Sequence, residues 1–157
     1  MRQLSLLPPL VRTLLVVLAA LISASLCASD SKPIPPKTLV LTFDDAVKSH
    51  LDIVATLLKQ HGFGATFFIS HAWMNDTEHF LSWEQVAKLH QMGFEIGNHT
   101  WTHAGFNTPR MAARLAGELA LIENELAKVA VPKPITFAWT GNAFGPDCLA
   151  VLEKAGG

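Results

Sequence analysis

The sequence predicts an α/β fold built on a parallel sheet. Short β-branched and aromatic runs alternate with longer segments of helical periodicity. The helical segments close at glycines, as at Gly62 and Gly93. The concentrated polar chemistry falls just after the strands, where ligands bind in such folds.

The elements follow in order along the chain. Leu39–Phe43, "LVLTF", reads as a first buried strand, and "VKSHLDIVATLLKQHG" as an amphipathic helix with Leu51, Val54, Leu57 and Leu58 on its apolar face. "ATFFI", residues Ala65 to Ile69, is a second buried strand. "SWEQVAKLHQMG" opens with Ser82 and carries Gln85 three residues later, the pattern of a capping box. "FEIG" is a short third strand. The next helix starts with Thr108 as N-cap and Pro109 at its first position, and Leu115, Leu119, Ile122 and Leu126 form its stripe. "ITFAW" is expected as a fourth strand and "PDCLAVLEKAG" as a last helix.

The start of the chain differs in kind. Arg2 and Arg12 precede nine apolar residues, Leu14 to Ile22, and then small residues, which is the layout of a secretory signal peptide. Residues 1–28 are therefore expected to be an export signal cleaved near Ala28, leaving no stable membrane span. Export would place the protein in the periplasm, cell envelope or outside the cell. An uncleaved anchor is the weaker reading. Leu26 before Cys27 disfavours lipidation. Residues 29–37, with three prolines, read as an extended linker, and 38–157 as the folded domain. Signal removal would leave only Cys148, so no intramolecular disulfide is expected. Twelve basic against thirteen acidic residues give a net charge of −1 and no basic patch, and nucleic acid is set aside as a partner.

Two short stretches carry chemistry. "TFDD" ends a strand in adjacent carboxylates, Asp44 and Asp45, with no Lys or Arg within two residues on either side. "NHTWTH" places His99 and His103 four apart, where one turn or loop could aim both imidazoles at one point. Neutral imidazole is the commonest metal ligand, a carboxylate a usual third, and three protein ligands leave a position open for water. Each stretch also has a plain structural reading: the carboxylates as caps of the next helix, the histidines as surface residues. "HTWTH" lacks the glutamate of the HExxH zinc proteases. The other histidines (His50, His61, His71, His79 and His90) are expected to be solvated or at helix ends. Thr100 and Thr102 are expected to tie the loop together, and Trp101 to pack rather than to meet substrate.

Together these stretches resemble the polysaccharide deacetylases, the NodB-homology domain of carbohydrate esterase family 4. Thr42-Phe43-Asp44-Asp45 stands as that family's first motif and His99-Thr100-Trp101-Thr102-His103 as its second. "HGFGATFFIS" and "MGFEIGNHTWTH" carry similar phrasing. The resemblance covers about Thr38 to Gly156 and implies a distorted, incomplete (β/α) barrel. It implies that Asp45, His99 and His103 bind a divalent metal, with Zn²⁺ expected and Co²⁺ or another divalent ion as alternatives. It makes Asp44 the general base in removing acetyl groups from an N- or O-acetylated polysaccharide, with no further cofactor.

Two departures bear on this expectation. Ala138 occupies the position of the family's third-motif arginine and Gly141 that of its tyrosine, and Lys133 precedes the strand. The family's fourth and fifth motifs, an Asp-Trp pair and a Leu-x-His, have no counterpart before Gly157, so a truncated domain is expected. Two alternatives stand beside the deacetylase: a non-catalytic carbohydrate-binding relative, and a metal-dependent amidohydrolase of small non-sugar amides.

Overall fold

The computed structural model describes residues 33–156. The expected signal peptide and residues 29–32 of the linker lie outside the described residues. The chain divides into two units, Met1–Thr38 and Leu39–Gly157. Of the first, residues 33–38 are exposed, and the Thr38 hydroxyl donates to the Pro35 carbonyl at 2.7 Å.

The second unit carries a parallel sheet of β1 (Thr42–Asp44), β2 (Thr66–Ile69) and β3 (Glu95–Asn98), in the order β1-β2-β3. Parallel neighbours need crossovers. One is α1, whose π-helical turn His50–Ala55 continues as the α-helix Thr56–Gln60; the other is α2 (Trp83–Gln91). After β3 come α3 (Pro109–Lys128), a 3₁₀ turn at Thr140–Asn142, and α4 (Pro146–Gly156). The architecture is an α/β partial barrel, as expected. Among the described residues no helix is long and apolar enough to cross a membrane.

Capping chemistry sets the helix starts. Ser82 and Gln85 form the reciprocal capping box of α2, and the Thr108 side chain accepts from Met111 N ahead of Pro109. The α3 stripe is buried at Leu115, Leu119, Ile122 and Leu126. Phe67, Ile69, Leu81, Val86, Leu89 and Ile122 fill the main core between sheet and helices. Phe106, Leu115 and Cys148 belong to a second cluster, under α4.

Three expectations change. The first strand begins at Thr42, and Leu39 and Val40 are 79% and 73% exposed. Pairing begins at Thr42↔Thr66, with Leu41 O accepting from Thr66 N at 3.1 Å, and Leu39 and Val40 lie before the paired stretch. In α1, Leu57 is exposed while His50 and Ala55 are buried. The wider π turn rotates the face that meets the sheet, so an α-helical reading misplaces Leu57. The expected fourth strand is only a contact: Asn98 N donates to Thr136 O and Ala138 N to Asn98 O, one parallel bridge at Phe137. Pro132 and Pro134 have no N–H to extend that ladder.

Candidate metal centre

β2 ends in two carbonyls that point to opposite neighbours, as alternate carbonyls of a parallel strand do. Phe68 O accepts from Asp45 N at 3.1 Å, and Ile69 O accepts from His99 N at 2.9 Å. Both predicted motifs thus hang from adjacent residues of the central strand. β3 approaches closely because residue 97 is glycine: a Cβ there would lie 2.3 Å from the Phe68 ring.

Beyond the strands the backbone turns sharply. Asp45, Ala46, Thr100 and His103 all have positive φ (73°, 56°, 66° and 55°). None is a glycine, so each conformation costs about 1–2 kcal/mol. Such strain persists where surrounding bonds over-determine it, and it concentrates at functional sites. Those bonds are present. Asn98 Nδ2 donates to Leu119 O at 3.1 Å, and its Oδ1 accepts from Thr100 N at 3.0 Å. Thr100 Oγ1 accepts from His103 N at 3.2 Å. Thr102 donates to the buried Glu118 carboxylate through its N–H at 2.7 Å and through its hydroxyl at 3.0 Å. Arg114 Nη2 donates to the same carboxylate at 2.9 Å. Thr100 and Thr102 therefore tie the loop, as their positions imply.

The result is convergence. Asp45 Oδ1 lies 3.2 Å from His103 Nε2 and 3.6 Å from His99 Nε2. One ligand atom from each residue lies within 4.8 Å of the others. Asp44, half exposed, sits beside them, with Oδ2 3.9 Å from His99 Nε2.

The donor set fits a divalent ion. His99 Nδ1 is 2.8 Å from the Ala138 carbonyl. A carbonyl only accepts, so Nδ1 carries the proton and Nε2 presents its lone pair to the site. Asp45 Oδ1 is buried without a hydrogen-bond partner. The Asp45 Oδ1 and His99 Nε2 lone pairs thus face one another with no proton to join them, and His103 Nε2 stands beside the same oxygen. A tetrahedral zinc with bonds of about 2.0–2.2 Å would set ligand atoms about 3.3–3.6 Å apart. The two carboxylate–imidazole separations, 3.2 and 3.6 Å, lie at the ends of that range.

Several residues of the site have no local sequence signal. Ala138 acts through its backbone, as the acceptor that orients His99. Lys133, the nearest cation before it in sequence, instead donates to Ala155 O at 3.0 Å. His71 corrects the expectation of a solvated or helix-end histidine, and His50, at a helix start as expected, is buried. The His71 ring stacks 3.7 Å from Trp101 and 6.0 Å from Trp83, and His50 lies 5.6 Å from both Phe43 and Phe67. Each has a buried Nδ1 without a partner. Burial lowers the pKa of His71 against the pull of Glu125, and that of His50 against Asp45 and Asp44. Trp101 packs, as expected. Glu118 had a readable signal: a charge on the face of α3 that carries Leu115, Leu119 and Ile122.

Comparison with known proteins gives a consistent picture. The sequence profile of the family described as polysaccharide deacetylase matches residues 31–157. The chain is 31% identical over 94 residues to a chitin deacetylase of Pestalotiopsis sp, covering 60% of this chain and 30% of that protein. It is 30% identical over 136 residues to the putative polysaccharide deacetylase YxkH of Bacillus subtilis, covering 85% and 47%. It thus spans less than half the length of either relative. In fold it resembles the BpsB deacetylase domain of Bordetella bronchiseptica, with a TM-score of 0.70 at 18% identity over 88% of this chain and 67% of that one.

Proposed function

This chain belongs to the polysaccharide deacetylase family, and from that premise we propose a metal-dependent hydrolase that removes acetyl groups from an N-acetylated polysaccharide. Asp45, His99 and His103 would hold the ion, with zinc the best match to two imidazoles and one carboxylate. When bound, such an ion supplies Lewis acidity toward the acetyl carbonyl and a lowered pKa for water.

The chain's own residues supply the rest. Asp44 is half exposed at the rim, where its Oδ2 can take the proton from an attacking water. Ala138 O holds the His99 tautomer, and Glu118 holds Thr102 and through it the approach of His103. The products are acetate and a free amine. The apolar start of the chain supports export, which would bring the site to an envelope or extracellular glycan.

The orphaned Asp45 Oδ1 between two imidazoles is the observation that carries this reading. The test is acetate release from N-acetylglucosamine oligomers and O-acetylated xylan, and formate release from small formamides, by the zinc-loaded chain. Acetate from the first supports the reading; turnover of the formamides alone would reject it. A non-catalytic carbohydrate-binding relative is the second reading, favoured by Ala138 at the arginine position of the family motif.

A further inference from the structure

Trp73 is 40% exposed, and its ring centroid lies 4.7 Å from that of His103. Behind it, Phe80 stacks at 5.7 Å and 25°. The loop that carries the pair is fastened to the residues after Asp45: Lys48 N donates to His79 O at 2.8 Å, and Leu81 N to Ala46 O at 2.8 Å. Asp76 N closes a turn on Trp73 O at 2.9 Å. The indole is therefore held in place at the rim of the candidate metal centre.

Holding a large apolar ring in water is unfavourable unless something covers it. Trp101 differs, because it packs on His71 and lies 6.3 Å from Trp83. An occupant of Trp73 must show a flat apolar face to the indole and polar edges to water, and must reach the imidazole beside it. A pyranose ring has that form, with C–H bonds on one face and hydroxyls at its rim. An indole gives such a partner broad contact area at little entropic cost.

We propose that Trp73, backed by Phe80, is a stacking platform for a pyranose ring at or next to the acetylated sugar. This rests on the deacetylase reading and adds a binding residue outside both motifs. The platform orients the sugar by its face, so that the acetyl group projects toward Asp44 and the ligand set.

The test uses the full chain loaded with zinc and the hexamer of β-1,4-linked N-acetylglucosamine. Calorimetry gives affinity, acetate release gives kcat and KM, and metal analysis gives zinc content. Trp73→Ala should weaken hexamer binding about tenfold, raise KM similarly and keep its zinc. Trp73→Phe should fall between. Phe63→Ala, an exposed aromatic before β2, should bind as the unsubstituted chain does. Unchanged affinity in Trp73→Ala overturns the platform, and loss of zinc there overturns it in favour of a role in placing His103. Hexamer binding that needs Trp73, without acetate release, upholds the platform and rejects the deacetylase. Acetate release indifferent to Trp73 does the reverse. A chain that neither binds nor cleaves the hexamer overturns both.

Discussion

His103 Nε2 lies 3.2 Å from Asp45 Oδ1, and that oxygen is buried with no hydrogen-bond partner. A cation would satisfy this arrangement, so the folded chain should bind zinc and gain stability from it. At a free zinc concentration of 100 times Kd the gain is about 2.7 kcal/mol. Thermal unfolding with and without zinc measures it. Asp45→Asn and His103→Ala should each erase the shift; a shift that survives both substitutions places the ion elsewhere.

Asp44 stands apart from that role, half exposed and 3.9 Å from His99 Nε2. Replacing it with Asn keeps the shape and removes the base. Acetate release should fall by about 10²–10⁴. Zinc affinity should change little. If affinity for zinc falls as steeply as turnover, Asp44 is a ligand rather than the base.

Glu118 is buried on α3 and satisfies Thr102 and Arg114 together. Glu118→Ala leaves the Thr102 N–H without its partner and should cost about 1–3 kcal/mol in urea unfolding. Because Thr102 precedes His103, zinc affinity should drop as well, and Glu118→Gln should restore part of both. An alanine variant with unaltered zinc binding would show that the loop holds its shape without this carboxylate.

Stability should decline on the acid side. Burial keeps the folded-state pKa of His71 below its ordinary 6.5, so the unfolded chain takes a proton first as pH falls. Stability is then lost from about pH 6.5 down to the folded pKa, with no further loss from this group below that. His71→Phe keeps an aromatic ring against Trp101 and removes the titration. Urea midpoints at pH 7.5 and 5.5 should lie closer together in that variant. His50, shifted in the same direction, leaves a residual slope. An identical gap in variant and parent would clear His71 of any part in it.

Much of the site is legible in the sequence, because its chemistry sits in two short stretches. Asp44, Asp45, His99 and His103 announce themselves by type and spacing, and the parallel sheet brings them together. Ser82, Gln85, Thr108 and Pro109 act within one helical turn, so their caps were legible too. What escaped depends on distant partners. The π turn at His50–Ala55 turns Leu57 outward, and no residue in "HLDIVA" marks it. Leu39 and Val40 look buried until the register shows nothing opposite them. Ala138 contributes a carbonyl, which every residue possesses. Trp73 gains meaning only because its loop folds back beside His103.

The two carbonyls closing β2 have a consequence for how the protein matures. Neither half of the proposed ligand set is attached to the other; each is moored to its own side of one dipeptide, Phe68-Ile69. A slip of one position in either ladder would swing a motif to the opposite surface. Zinc binding at the proposed site would therefore be a proofreading signal, reporting that two separate strand alignments have both been made correctly.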